Sequence, residues 1–87
     1  MKRKKIIEKN LEQTILDVAE KLFMEKGYAM TSTIEIAKSV GCNQALVHYY
    51  FRTKERLFEA VFEKKIKLFV LNLLKIEEEN RSFEEKL

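Results

Sequence analysis

Reactive side chains are few in this chain. His48 and Cys42 are its sole histidine and cysteine, six positions apart. Such a pair supplies at most two metal ligands, and no acidic pair accompanies it in an evident pocket. The sequence therefore contains no constellation for a metal site, a general base or an activated nucleophile. Cys42 reads as a small apolar residue at a turn. No catalytic residue, metal or cofactor is expected. The chain does offer hydrogen-bonding and cationic groups in close succession. Gln44, His48, Tyr49 and Tyr50 fall within one short stretch, Lys54 follows, and Lys2, Arg3, Lys4 and Lys5 open the chain. Glutamine can pair bidentately with adenine, and a leucine such as Leu46 can press on a thymine methyl. Tyr49, Tyr50 and His48 can donate to phosphate oxygens, which positions a protein on nucleic acid without reading sequence.

Charge distribution points the same way. Residues 1–56 carry 11 Lys/Arg and 7 Asp/Glu, a net of +4, whereas residues 57–87 carry 6 and 7, a net of −1. A basic first part suits a polyanionic partner, either nucleic acid or an anionic membrane surface, and it equally fits a solvated basic face.

The elements that would hold these groups are helical. The chain has 87 residues, 46% hydrophobic and 36% charged, with two Gly and no Pro. That length makes one small domain, and the missing turn residues disfavour sandwiches, barrels and hairpins. One cysteine forbids an internal disulfide, which suits a reducing, cytoplasmic setting. No apolar run reaches the roughly 18 residues of a membrane span, and the basic start lacks the apolar stretch of a secretory signal.

Leu11, Ile15, Val18, Ala19, Leu22 and Phe23 recur at helical spacing and predict a first helix over about 8–26, closed by Gly27. Ser32 and Glu35 form a capping-box pattern for a second helix over 32–40, carrying Ile36 and Ala37 and stopped by Gly41. Asn43 is a good N-cap for a third helix over 44–51. Two short helices joined by a tight Gly-containing turn make a helix-turn-helix, with Val47 and Phe51 facing inward. Thr53 caps a fourth helix, expected over 54–76. Its segment 68–74 is apolar nearly all round and must be covered on most sides. Glu77–Arg81 reads as a solvated break, and Ser82 with Glu85 as the start of a fifth helix. The expected fold is all-α, a three-helix bundle followed by a long helix and the beginning of another.

Residues 15–62 closely resemble the DNA-binding domain of TetR-family transcriptional regulators. The resemblance is carried by Ala19 with Leu22-Phe23, Gly27-Tyr28, Thr31-Ser32, Ile36-Ala37, Gly41, Tyr50-Phe51, Lys54-Glu55 and Leu57. It implies a basic arm over 1–7, a DNA-binding head over 8–56, and, from 57, a connecting helix leading into an otherwise absent ligand-binding and dimerisation domain. By position, Ser32, Thr33 and Lys54 would sit on phosphates, and Gln44, Ala45 and Leu46 would face bases. His48 stands where the family usually has a phosphate-contacting Tyr. Tyr49 and Tyr50 occupy positions that touch backbone or bases. Asn43 replaces a Ser and caps equally well, while Ile34 stands where an Arg is frequent and removes that contact.

The function implied is a ligand-responsive repressor acting as a homodimer on a palindromic double-stranded DNA operator, with a small-molecule inducer and no membrane partner. The competing reading is a small helical interaction module, whose Phe-rich fourth helix docks a protein. The basic arm either tracks phosphates and the minor groove or serves as a solubilising tail. Deleting residues 2–5 is expected to reduce the salt dependence of DNA binding by about 0.9 in log–log slope for each phosphate that the arm neutralises. A slope unchanged in titrations across salt concentrations removes the arm from the interface.

Overall fold

The structure, a computed structural model, describes residues 2–85, with side chains described over residues 10–81. Four helices follow one another: α1 (Lys2–Lys26), α2 (Thr33–Val40), α3 (Gln44–Phe51) and α4 (Lys54–Glu85). No strand occurs among the described residues. The all-α reading holds, as do the limits of α2 and α3, with Ser32 as the cap that precedes α2.

Two boundaries differ. α1 begins at Lys2 instead of near residue 8, so the basic residues assigned to an arm lie on helical backbone; their side chains fall outside the described residues. Lys, Arg, Glu, Ile and Leu all propagate helix well, and nothing between residues 2 and 26 interrupts it. α4 does not stop near residue 76 but runs unbroken to Glu85, so no separate fifth helix starts at Ser82. Glu77–Arg81 is polar but strongly helix-forming, and Arg81 pairs with Glu77 one turn back at 3.3 Å. Lys86 and Leu87 lie outside the described residues.

Neither eight-residue helix could persist alone. Each is held by a few apolar side chains in a core to which all four helices contribute. Ile15, Ala19, Leu22 and Phe23 come from α1, Ile36 and Ala37 from α2, Val47 and Phe51 from α3, and Leu57 and Val61 from α4. Full burial of side chains such as Ile15, Ile36 and Leu57 contributes about 1.5–3 kcal/mol each. Surface pairs add little: Lys64 with Asp17 at 3.1 Å and Lys65 with Glu20 at 3.0 Å link α4 to α1.

The connections are fixed by local chemistry. Gly27 and Gly41 take φ values of 87° and 88°, the left-handed conformation in which a Cβ would be strained. Their N–H groups donate to Phe23 O and Ala37 O, each at 2.9 Å, closing α1 and α2. Among the described residues, Thr31 is the buried polar side chain. Its hydroxyl lies 2.9 Å from Gly27 O and 3.2 Å from Leu22 O, tying the α1–α2 loop to the end of α1. Thr31→Val, which keeps the shape and removes the donor, is expected to destabilise the fold by about 1–2 kcal/mol. Urea denaturation measures it, and an unchanged midpoint contradicts the tie.

Candidate nucleic-acid interface

Because Val47 and Phe51 are buried, the rest of α3 has a defined orientation. Ala45, Leu46, His48 and Tyr49 are exposed on the other side, Tyr49 at 75%, while Gln44 and Tyr50 are half-buried. Tyr50 packs against the core and lies edge-on to Tyr49, with ring centroids 5.1 Å apart. The exposed face is therefore one polar-aromatic surface headed by Gln44.

Three helix starts are each capped by a short polar side chain. Ser32 Oγ accepts from Glu35 N at 3.1 Å, Asn43 Oδ1 from Leu46 N at 3.2 Å, and Thr53 Oγ1 from Arg56 N at 3.1 Å. The Glu35 carboxylate of the expected capping box pairs with Lys26 at the end of α1. Ser32, exposed, keeps its hydroxyl hydrogen for a further acceptor. Helix starts present N–H groups with partial positive charge and so favour anions. Thr33, the first residue of α2, accepts a 2.9 Å hydrogen bond from Gln44 Nε2, the first residue of α3. Two of the residues singled out in the sequence are thus in direct contact.

Between α3 and α4 the chain turns within one residue. Arg52 has φ 62° and ψ −54°, and Thr53 N donates across it to Phe51 O at 2.6 Å, the geometry of a tight γ-turn. This sparsely populated conformation brings Thr53 into place as the cap of α4. It also turns the Arg52 carbonyl towards His48, whose Nδ1 lies 2.9 Å away. A carbonyl can only accept, so Nδ1 is the donor. In a neutral ring Nε2 is then an acceptor, and only the imidazolium can donate from it to a phosphate. The phosphate contact expected of His48 carries that condition.

Lys54 is placed by a residue 26 positions earlier. Its ammonium lies 4.2 Å from the Tyr28 ring centroid. That ring packs on Phe23 and Phe58, with centroids 5.7 and 5.2 Å away. Desolvation first, then the charge of Glu55 and a hydrogen bond to it, hold the Tyr28 phenol above its ordinary value of 10.0. The Glu55 carboxyl is held below 4.5, chiefly by its own backbone N–H against some desolvation, with Tyr28, Thr53 and Lys54 adding to the effect.

Ser32, Thr33, Asn43, Gln44, Ala45, Leu46, His48, Tyr49, Tyr50 and Lys54 are thus placed on α3 or at the starts of α2, α3 and α4. The side chains of Lys2, Arg3, Lys4 and Lys5 lie outside the described residues. Sequence reasoning did not find Arg52 as the sharp turn, nor Tyr28 and Glu55 as the setting of Lys54. Among the described residues, no group of three or more His, Cys, Asp or Glu could hold a metal ion, and no helix is long and apolar enough to cross a membrane.

This arrangement of two short helices about a tight turn, braced by α1 and α4, defines a helix-turn-helix protein. Residues 15–61 match bacterial regulatory proteins of the tetR family, and the chain belongs to that family. It is 45% identical over 49 residues to the HTH-type transcriptional regulator QacR of Staphylococcus aureus, covering 56% of this chain and 26% of that protein. It is 32% identical over 74 residues to the biofilm operon icaADBC negative transcriptional regulator IcaR of Staphylococcus epidermidis, covering 85% of this chain and 40% of that one. The crystal structure of HlyIIR, a hemolysin II transcriptional regulator, superposes with a TM-score of 0.63 at 44% identity, over 66% of this chain and 32% of the other. These relatives are transcriptional regulators by name, not enzymes. The chain spans between about a quarter and two-fifths of their length.

The pKa displacements fix the sign of a pH dependence. A raised Tyr28 value means that this contact stabilises the fold fully below pH 10.0 and weakens as pH rises through the folded value. The lowered Glu55 value means that its contribution is present above 4.5 and disappears as pH falls. NMR titration of 13C-labelled tyrosine is expected to place Tyr28 above 10.0, with Glu55→Gln moving it part of the way back. A Tyr28 midpoint untouched by Glu55→Gln removes Glu55 from the cluster.

Proposed function

We propose that this chain is the DNA-binding part of a transcriptional repressor that binds a two-fold operator as a dimer, with α3 entering the major groove of each half-site. The observation that carries the reading is the orientation of α3. Val47 and Phe51 are buried, which leaves Ala45, Leu46, His48 and Tyr49 to face outward, with half-buried Gln44 as the first residue of the helix. Recognition helices of helix-turn-helix proteins use those first residues on base edges. Ser32, Thr33 and Lys54, at the starts of α2 and α4, would hold phosphates on either side. The names of the related regulators, negative regulator among them, support repression. Such a protein acts in the cytoplasm, where its DNA is.

The far half of α4 supports the second part of the reading. Ile66, Phe69, Leu73 and Ile76 repeat at intervals of three and four and are each about half exposed or more, and Leu68, Val70, Leu71 and Leu74 are exposed beside them. A helix apolar on several faces needs cover. In a regulator of the length of its relatives, a further domain would cover it, dimerise and bind an inducer. Rotation of the heads through α4 would then change their spacing and release DNA.

The test is a gel-shift titration of the chain against random-sequence duplex at several salt concentrations. Affinity is expected to fall with a log–log slope of about −0.9 per phosphate neutralised. Where the ring is protonated, His48→Ala should weaken binding to all sequences alike, because only the imidazolium can donate from Nε2 to a phosphate. No binding at low salt contradicts the reading, and an interaction module docking protein through α4 becomes the better account.

A further inference from the structure

Thr33 and Gln44 are eleven positions apart, on different helices, and each belongs to the proposed interface by itself. Their contact has a consequence for specificity. Gln44 Nε2 carries two hydrogens, and one is donated to Thr33 Oγ1 at 2.9 Å. The amide is therefore held by its nitrogen, and the groups left for a further partner are the second N–H and Oε1. Thr33 is the first residue of α2, behind a cap made by the Ser32 hydroxyl. It is not needed to start its own helix, so its hydroxyl is available to the neighbouring side chain. Both residues are half-buried, which limits the swing of the long Gln44 side chain.

We infer that Thr33 is a positioning residue that makes Gln44 specific for adenine. An N–H beside a carbonyl oxygen, both left for a further partner, is a donor–acceptor pair. Adenine presents its complement in the major groove, the N7 acceptor beside the N6 amino donor. Guanine presents two acceptors there, cytosine an amino donor and thymine an O4 acceptor with a methyl, so none of these satisfies both atoms of Gln44. A free glutamine could rotate its amide to suit several bases, and the bond to Thr33 removes that freedom. The Thr33 hydroxyl, accepting from Gln44, still has its own hydrogen to donate to a phosphate. Position on the backbone and reading of the base are in this way joined through one hydroxyl. The inference rests on the DNA-binding reading above and goes beyond it by naming a base and the residue that selects it.

The experiment is selection of duplexes from a library with a random central segment, using the 87-residue chain and its Gln44→Ala, Thr33→Val and Thr33→Ser variants. The position read by Gln44 is the one whose preference disappears in Gln44→Ala. The wild-type chain is expected to prefer adenine there by about five- to 150-fold, the discrimination of a good bidentate pair. Thr33→Val, close to isosteric, should abolish most of that preference while keeping preferences at other positions, and Thr33→Ser should retain it. A merely structural or phosphate-binding Thr33 would change affinity for all sequences and leave the base preference intact. That result overturns the inference while sparing the DNA-binding reading, as does a Gln44-dependent position that selects another base. No enrichment of any sequence by the wild-type chain overturns both.

Discussion

An eight-residue helix has too few hydrogen bonds to offset the cost of its own nucleation, and this domain contains two of them. They exist because Ile36 and Ala37 on α2, and Val47 and Phe51 on α3, sink into a core built on α1 and α4. The same burial decides what faces out. Once Val47 and Phe51, four apart, point inward, a helix of 3.6 residues per turn must present Ala45, Leu46, His48 and Tyr49 elsewhere. The candidate interface is thus a consequence of core packing, and a change of register in α3 would remove the anchor and the outward face together.

Local order around the interface comes from short-range chemistry. Ser32, Asn43 and Thr53 each satisfy an amide at a helix start, and Gly27 and Gly41 supply left-handed turns. Those features were legible in the sequence because each rule spans three or four residues. The inward assignment of Val47 and Phe51 was legible for the same reason. The ends of the two long helices were not. Residues 2–7 and 77–81 lack apolar periodicity, yet they contain no residue that breaks a helix, so α1 and α4 extend through them. Polar composition looked like a boundary, and helix propensity decided otherwise.

The contacts that refine the site were hidden for a different reason. Tyr28 beneath Lys54 and Thr33 against Gln44 join residues 26 and 11 positions apart, and no local pattern encodes such meetings. The turn at Arg52 was equally concealed, since an arginine does not advertise a positive φ. Family resemblance marked several of these positions without supplying their partners. It also underlies the proposal that, in a regulator of its relatives' length, a further domain covers the exposed Ile66, Phe69, Leu73 and Ile76.

The central claim is that the outward side of α3, with the starts of α2 and α4, is a DNA-binding surface. NMR titration of the 15N-labelled chain with duplex DNA at low salt tests it most directly, because each amide reports its own surroundings. The account requires the largest shifts at Ser32 and Thr33, from Gln44 to Tyr49, and at Lys54, with the core amides of Ile15 and Leu57 nearly still. Shifts confined to the apolar stretch of α4, or none at saturating duplex, would contradict it.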